Sequence, residues 1–307
     1  MQFFKRIGLF VLTNILVMVT IGIVWSLISS FFGLGPMNGS VIALMAFCLV
    51  MGMSGAFISL MLSRWMAKSM YGVQVMNPKD PSLSNDGRWL LDTVYSLARA
   101  AQLPAMPEVG IYDSADVNAF ATGPSKKKSL VAVSSGLFQR MSKPEIEGVL
   151  GHEITHIANG DMVTMTLIQG IVNSIAFFFS RILANIISSQ VDEKLRGVVH
   201  FAMTIIGDIL FTLLGSIIVA YFSRRREFRA DAGGAKLATS ANMVQALRKL
   251  QTVYELPLDN QEGRRDALAT LQISHRDKPG ALRSLFMTHP PLEDRIAALE
   301  RRSIHAL

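Results

Sequence analysis

Four long apolar runs constrain the fold of this 307-residue chain more than any other feature of its sequence. A helix of about 20 residues crosses the hydrocarbon core of a bilayer, which is about 30 Å thick. Each run is long enough for that, so the sequence predicts four transmembrane helices arranged as two hairpins. The runs cover about residues 7–34, 41–62, 162–189 and 198–222.

The composition agrees with a membrane protein. Only 17% of the residues are charged, whereas an ordinary soluble domain has about 25%. The first run is longer than the apolar core of a signal peptide, about 7–15 residues, and no small-residue cleavage site follows it, which predicts a retained helix. The single cysteine, Cys48, lies within an apolar run, which excludes a disulfide framework and a cysteine-rich zinc site.

Basic residues indicate which helix ends face the cytoplasm. Lys5 and Arg6 precede the first run, Arg64 follows the second, and the turn between these runs has no charge. The arginine run 224–226 follows the fourth apolar run and marks the return to the cytoplasm. The positive-inside rule then places both termini and the segment after Arg64 in the cytoplasm. The net charge of +7 does not indicate nucleic-acid binding, because the basic residues lie beside apolar runs, as topology signals do.

The segments outside the apolar runs predict a small sheet among helices. An amphipathic helical pattern covers 86–101, two short β-prone segments follow at 108–112 and 130–133, and a further helical pattern covers 243–254. The sequence thus predicts four divisions of the chain. They are a transmembrane hairpin over 1–63, a cytoplasmic segment over 64–161, a second hairpin over 162–223 and a second cytoplasmic segment over 224–307.

The residues most directly tied to chemistry form a His-Glu-x-x-His motif, His152 to His156. On a helix, positions i and i+4 share one face, so the two imidazoles can bind one metal ion. Glu153 lies beside them, and zinc accepts two histidines and a carboxylate with a fourth position open. A capping box formed by Ser142 and Glu145 predicts where this helix begins.

A zinc site needs a third ligand. A metzincin would have glycine at 159 and histidine at 162, but this chain has Asn159 and Met162, which excludes that class. A gluzincin takes a glutamate from a later helix, and Glu227, five residues after the fourth run, is the best candidate. Asp231 lies one turn further along and is predicted to hydrogen-bond a ligating imidazole. The alternative for Glu227 is an exposed acid that balances the basic run 224–226.

Two ionisable residues interrupt the second hairpin, Arg181 and Asp208. Their distances from the tip of the hairpin predict similar depths in the membrane, and therefore an ion pair, although Arg181 could instead extend to the far interface.

The lysine run 126–128 predicts a solvated hairpin tip, with contact to anionic headgroups as the alternative. The polar stretch 261–280 has no motif, and the sequence leaves open whether it gates the site.

Four segments of the chain resemble the HtpX family, the bacterial membrane branch related to the CAAX prenyl proteases. They are Gly151–His156, Glu227–Asp231, Asn118–Gly123 and Thr288–Ile296. The resemblance implies an α+β, mostly helical, gluzincin-type metalloprotease domain built on four transmembrane helices. It also implies a zinc endopeptidase of the bacterial inner membrane, facing the cytoplasm, that cleaves misfolded or damaged membrane proteins under stress.

By the resemblance, one Zn²⁺ per chain is bound by His152, His156 and Glu227, and Glu153 is the general base. His289 corresponds to the histidine that stabilises the developing oxyanion. The alternative for His289 is a loop residue held by the two prolines that follow it.

The resemblance also assigns a substrate-binding edge strand to Asn118, Ala119 and Phe120. Such a strand pairs with the backbone of the substrate. Backbone pairing depends little on the sequence of the substrate and therefore suits a protease for varied unfolded proteins. The alternative for Asn118 is a residue of a turn.

Other functions remain as alternatives. A non-catalytic membrane adaptor or chaperone could keep a structural zinc site, but such a site has no need of the base Glu153. A metal transporter would need ligands in the apolar runs, where His200, Asp208 and Asn173 are few and dispersed. Prenyl-protein processing is a further alternative, although so few apolar runs do not predict a large intramembrane chamber.

Overall fold

The computed structural model describes residues 41–255 and 281–304, together with four helical positions, 23, 26, 27 and 30. Most of the first predicted membrane helix, 7–34, and the polar stretch 261–280 lie outside the described residues. The described elements, in chain order, are α1 Val41–Tyr71, β1 Gln74–Val75, α2 Asn85–Ala100, β2 Glu108–Tyr112, β3 Ala119–Ser125, β4 Lys128–Ser134, α3 Ser135–Arg140, α4 Lys143–Asn159, α5 Asp161–Ser188, α6 Glu193–Leu237, α7 Ser240–Glu255, α8 Ala281–Phe286 and α9 Leu292–Ile304.

Three of the described helices, α1, α5 and α6, are long and apolar enough to cross a membrane. Together with a four-stranded sheet, the helices confirm the mostly helical α+β fold predicted from the sequence. The fourth apolar run ends near residue 222, but the helix does not end there. α6 is one helix of 45 residues that continues to Leu237. One helix therefore carries both an apolar span and the segment that contains Glu227 and Asp231.

The chain divides into two compact units, Met1–Leu60 with Thr164–Val219 and Met61–Val163 with Ala220–Leu307. The side of the membrane that the sequence assigns to each segment stays a prediction.

In the first unit, small residues let α5 and α6 approach closely: a Cβ added to Gly207 would lie 3.0 Å from the Cα of Ser180. The predicted ion pair between Arg181 and Asp208 is present.

The second unit contains a four-stranded sheet with the order β1-β2-β4-β3. β2 and β4 are parallel, the other two pairs are antiparallel, and β3 lies at an edge. The residues of β4 alternate between two hydrophobic clusters, because successive side chains of a strand point to opposite faces. Val131 and Val133 belong to the larger cluster, which α2 and α4 also line.

The hairpin of β3 and β4 carries the lysine run at its turn, as the sequence predicts. Lys126 and Lys127 lie between the two strands and are exposed. Lys126 is not only solvated, however. Its ammonium donates a hydrogen bond to the carbonyl of Ala158, in the last turn of α4. A cation at the C-terminus of a helix interacts favourably with the unpaired carbonyls there, so the hairpin is attached to the helix that carries the His-Glu-x-x-His motif.

Candidate metal centre

The helix that carries the motif begins and ends with standard capping contacts. The backbone N–H of Ser142 donates to Oε2 of Glu145 at 2.7 Å, the reciprocal contact of a capping box. Gly160 ends the helix in the left-handed region, with φ 72°. Ile146, Leu150, Ile154 and Ile157 are almost fully buried, and their spacing defines one apolar face. The two histidines therefore lie on the other side of α4.

Glycines bring α4 against α6. A Cβ added to Gly234 would lie 2.9 Å from the backbone nitrogen of His152, and a Cβ added to Gly233 would lie 2.3 Å from Cγ2 of Thr155. The helices can approach this closely only because these positions have no side chain. Glu227, Asp231 and Gly234 follow one another at i, i+4 and i+7 along α6, so both carboxylates lie on the face that meets α4.

Gly234→Ala is expected to push α4 away from α6, since the added methyl group meets backbone atoms that cannot move alone. Overpacking of this kind destabilises a protein by about 1–3 kcal/mol, and it should weaken metal binding as well. Thermal unfolding and metal titration of the purified protein measure the two effects. Gly197→Ala is the matched control, because it lies on the same helix with nothing within 4 Å of the added Cβ. Equal behaviour of the two variants would contradict the proposed helix contact.

Three side chains that the sequence singled out lie together. Nε2 of His152 is 3.0 Å from Nε2 of His156. The carboxylate of Glu227 is 3.5 Å from the first nitrogen and 3.3 Å from the second. All three side chains are buried, and one ligand atom from each lies within 4.8 Å of the others. The cluster is therefore compatible with a metal site.

The hydrogen bonding of Glu227 also fits a metal ion. Its side chain is 1% exposed, and among the described residues Oε1 is buried without a hydrogen bond, although Nε2 of His156 lies 3.3 Å away and Nε of Arg226 3.6 Å away. A buried carboxylate oxygen is rarely left in that state, because it has lost its water without replacement. A cation between this oxygen and the two Nε2 atoms would compensate the oxygen and accept a lone pair from each imidazole.

Carboxylates hold the other nitrogen of both imidazoles. Nδ1 of His152 lies 2.9 Å from Oδ1 of Asp231, the contact predicted from the sequence. Nδ1 of His156 lies 2.6 Å from Oδ2 of Asp161, which sequence reasoning missed. Hydrogen bonds of this kind fix the tautomer and aim the free Nε2 at a metal. The sequence contains a clue to Asp161, because it is the first acidic residue after Gly160, the glycine that ends α4.

Asp161→Asn is expected to lower metal affinity by about 10–100-fold, the usual effect of losing such an outer carboxylate. The amide keeps the shape of the side chain but accepts the imidazole proton less strongly. A competition titration against a chelator measures the change. Asp92→Asn, which alters an exposed acid on α2, should leave the affinity unchanged. Similar affinities for both variants would show that Asp161 does not support His156.

Arg295 is a second residue that sequence reasoning did not single out, although it lies within the segment 288–296. Its Nε and Nη2 donate to the two oxygens of Asp231 at 2.8 and 2.6 Å, a bidentate pair. The residue is 7% exposed. Its Nη1 is also 3.8 Å from Oε2 of Glu227. Arg295 thus holds Asp231 in the position from which it contacts His152.

The structure also describes the other predicted site residues, His289, Glu153 and the segment 118–120. Nδ1 of His289 lies 2.9 Å from Oε2 of Glu227, and its side chain is 31% exposed. Glu153 is half-buried on α4 beside His152. Ala119 and Phe120 begin β3, directly after Asn118, whose backbone N–H donates to Oγ of Ser134 at 3.1 Å. β3 pairs on one side with β4, and no described strand pairs with its other side.

The acids around the imidazoles change their affinity for protons. Burial by itself lowers the pKa of His152, but hydrogen bonds with Asp231 and Glu227 raise it to about 9. The pKa of His156 is also raised, since contacts with Asp161 and Glu227 outweigh the effect of burial. In the metal-free protein at neutral pH, His152 is therefore an imidazolium. A metal ion must displace the proton on Nε2, while Nδ1 keeps its own proton.

Metal affinity is accordingly expected to increase with pH. Because the pKa of His152 is about 9, protons compete with the metal at every pH below that value. The affinity should fall about tenfold for each pH unit and each displaced proton as the pH is lowered. Calorimetric titration in buffers of different ionisation enthalpy counts the released protons. The titrations cover a range just below this pKa, about pH 6.5 to 8.5. A metal affinity that stays constant over this range would contradict the prediction.

Comparison with known proteins gives a consistent result. Residues 84–303 match the model of peptidase family M48. The chain is 52% identical to a protease HtpX homologue of Bacillus subtilis over 303 residues, covering 97% of this chain and 99% of that protein. It is 46% identical to the protease HtpX of Tolumonas auensis over 301 residues, covering 96% and 98%.

A solved structure has a similar fold. The crystal structure of S. mikatae Ste24p superimposes with a TM-score of 0.58 at 21% identity. The match covers 96% of this chain and 66% of that one. At this level of identity the likeness concerns the fold alone.

Proposed function

Because the chain belongs to peptidase family M48 and to the HtpX proteases within it, we propose that this membrane protease is a zinc endopeptidase. We propose further that it cleaves misfolded or damaged membrane proteins from the cytoplasmic side of a bacterial inner membrane. The observation that carries the proposal is the convergence of His152, His156 and Glu227 in one buried cluster. The carboxylates behind both imidazoles support it, since they orient the two rings toward a common point.

In this proposal His152, His156 and Glu227 hold one Zn²⁺, the ion that best fits two imidazole nitrogens, one carboxylate and an open fourth position. When bound, zinc supplies Lewis acidity, which polarises the scissile carbonyl and lowers the pKa of water to about 7. The carboxylates of Asp231 and Asp161 keep the Nδ1 protons, so that Nε2 of each ring remains a lone-pair donor.

Glu153 is proposed as the general base and acid. Its position next to His152 on α4 lets its carboxylate lean over the ligand cluster, while Glu227 and Asp231 are occupied by other contacts. It accepts the proton of the attacking water and passes it to the nitrogen of the leaving amine. The protein therefore assigns different roles to neighbouring acids, since two orient imidazoles, one is a ligand and one carries a proton.

His289 is proposed to stabilise the oxyanion of the tetrahedral intermediate. Nδ1 of its ring faces Oε2 of Glu227 at 2.9 Å, which leaves Nε2 directed away from that carboxylate. In the imidazolium form, Nε2 donates to an oxygen on which negative charge develops. The partial exposure of the ring is compatible with contact to a substrate.

Asn118, Ala119 and Phe120 are proposed to bind the substrate backbone along the edge of β3. The peptide would add a strand to the sheet, so that main-chain hydrogen bonds provide the affinity. Since α6 runs without a break from its apolar span to Glu227, this proposed ligand lies about 7.5 Å along the helix from the end of the fourth apolar run, at about 1.5 Å per residue. A segment released from the bilayer would therefore have a short path to the site.

Metal analysis combined with a cleavage assay tests the proposal. The purified full-length protein should contain about one zinc per chain and cleave an unfolded membrane protein. A chelator should stop cleavage, and added Zn²⁺ should restore it. His156→Ala should lose both metal and activity, whereas His200→Ala, which removes a histidine that contacts Asn185 in the other unit, should keep both. Metal-bound protein that cleaves nothing would favour a non-catalytic role instead.

A further inference from the structure

The three arginines that precede Glu227 differ in what they contact. The sequence treats the run 224–226 as one basic signal at the end of a membrane span. In the structure, Nη1 of Arg224 lies 3.2 Å from the carbonyl oxygen of Ser284, 3.2 Å from that of Leu285 and 2.6 Å from that of Met287. One guanidinium group thus contacts three backbone oxygens of a segment about 60 residues further along the chain.

These carbonyls lie at the end of the short helix α8. The last carbonyls of a helix have no partner within it, and a cation there is favoured by their aligned dipoles. Ser284 and Leu285 belong to the last turn of α8, and Met287 follows the last helical residue. Arg224 therefore donates hydrogen bonds to carbonyls at and just beyond the end of α8.

Two apolar side chains of the segment 284–289 are exposed. Leu285 is 41% exposed and Phe286 is 38% exposed, so hydrophobic packing restrains them weakly. Polar contacts join the segment to α6. Arg224 binds the carbonyls, and three residues further along α6, Glu227 contacts Nδ1 of His289 at 2.9 Å. Because positions i and i+3 share a helix face, the segment 284–289 is attached to α6 at two neighbouring points.

The other arginines of the run make different contacts. Arg225 is exposed, and its Nη1 donates to the hydroxyl of Tyr221 at 3.4 Å. Nε of Arg226 lies 3.6 Å from Oε1 of Glu227. Among these three arginines, only Arg224 contacts the carbonyls that precede His289 in the part of the chain that the structure describes.

We propose that Arg224 is a positioning residue for catalysis: it fastens the segment 284–289 to α6 and so holds His289 beside Glu227 and the scissile carbonyl. This inference rests on the proposed function, in which His289 acts on the oxyanion. Arg224 itself touches neither the ligands His152 and His156 nor, in this proposal, the substrate. Its removal frees His289 but leaves the metal ligands in place.

The expected effect is a loss of kcat with little change in KM or zinc content. A reacting group displaced by about 1 Å can cost on the order of 100-fold in rate, so Arg224→Ala should lower kcat by about 10–100-fold. Arg224→Lys should restore part of the loss, because an ammonium group can donate to carbonyls but lacks the width of a guanidinium. The Lys variant also serves if the Ala variant does not accumulate.

The experiment compares Arg224→Ala with Arg225→Ala in the full-length, zinc-loaded protein. Each variant removes one positive charge at adjacent positions, so effects on topology or on lipid attraction are matched. Hydrogen exchange of the backbone amides over 284–289 should become faster in the first variant only. In the background His289→Ala, the change at 224 should lower kcat no further, because both residues act through one group.

Three results would overturn the proposal. They are unchanged exchange over 284–289 in Arg224→Ala, loss of zinc from that variant, or full additivity with His289→Ala. A wild-type protein that cleaves no substrate would instead refute the proposed function, and the exchange data would still show whether Arg224 restrains the segment. The two failures are thus distinguishable.

Discussion

Glu153→Gln is expected to reduce peptide-bond cleavage by about 100- to 10,000-fold, the usual contribution of a general base, while zinc stays bound. Glutamine has the shape of glutamate but cannot accept the proton of the attacking water. Glu153 lies outside the ligand cluster of His152, His156 and Glu227, so its charge is not needed to hold the metal. The measurements are the turnover rate on an unfolded membrane protein and the zinc content of the same preparation.

Two outcomes would contradict this role. If cleavage persists at the wild-type rate, Glu153 is not the base, and another group must accept the proton. If zinc is lost with activity, Glu153 acts on the metal site itself. Glu147→Gln, which changes another glutamate on α4 that contacts Asn242, controls for the general effect of an added amide and should keep most of the activity.

Glu227→Ala is expected to abolish metal binding and to destabilise the protein strongly. Glu227 contacts His152, His156, His289 and Arg295, so its removal leaves the buried His152, His156 and Arg295 without their shared anion. Breaking a buried ion pair from one side costs about 3–5 kcal/mol. We therefore expect a lower midpoint of chemical unfolding, even in metal-free protein, together with zinc content near zero.

Glu193→Ala is the control on the same helix. It removes an exposed carboxylate from the first turn of α6, where an acid contributes about 0.3–1 kcal/mol through the helix dipole. Zinc content should be unchanged. A Glu227→Ala variant that kept its zinc would refute the proposed ligand set, and a stability loss equal to that of Glu193→Ala would show that the buried network contributes little.

Much of the fold follows from patterns within short stretches of sequence. The helix predicted over 86–101 is α2, Asn85–Ala100, and the two β-prone segments 108–112 and 130–133 fall within β2 and β4. Local spacing predicts these elements because periods of 3.6 and 2 residues arise from backbone geometry. The strand order is different: β2 pairs with β4 in parallel and β3 occupies the edge, which no local pattern specifies.

The candidate site shows the same division. Two histidines one turn apart are visible in the sequence, because their spacing alone makes them neighbours. The contact between Asp231 and Arg295 joins residues 64 positions apart, and that between Arg224 and Ser284 joins residues 60 positions apart. No periodic pattern in the sequence predicts either contact, because the two partners lie far apart in the chain. Sequence reasoning consequently treated Arg224 as a topology signal and did not single out Arg295.

The sequence by itself determined the apolar spans, the helical motif of His152 and His156, and the kinship with a protease family, because each depends on residues close in the chain or on similarity along it. Only the tertiary structure decided that Glu227 meets these histidines and that Asp161, Arg295 and Arg224 support the arrangement. The physical reason is the close approach of α4 and α6 at Gly233 and Gly234. Contacts across that approach depend on where two helices cross, and the crossing is set by the packing of the whole domain.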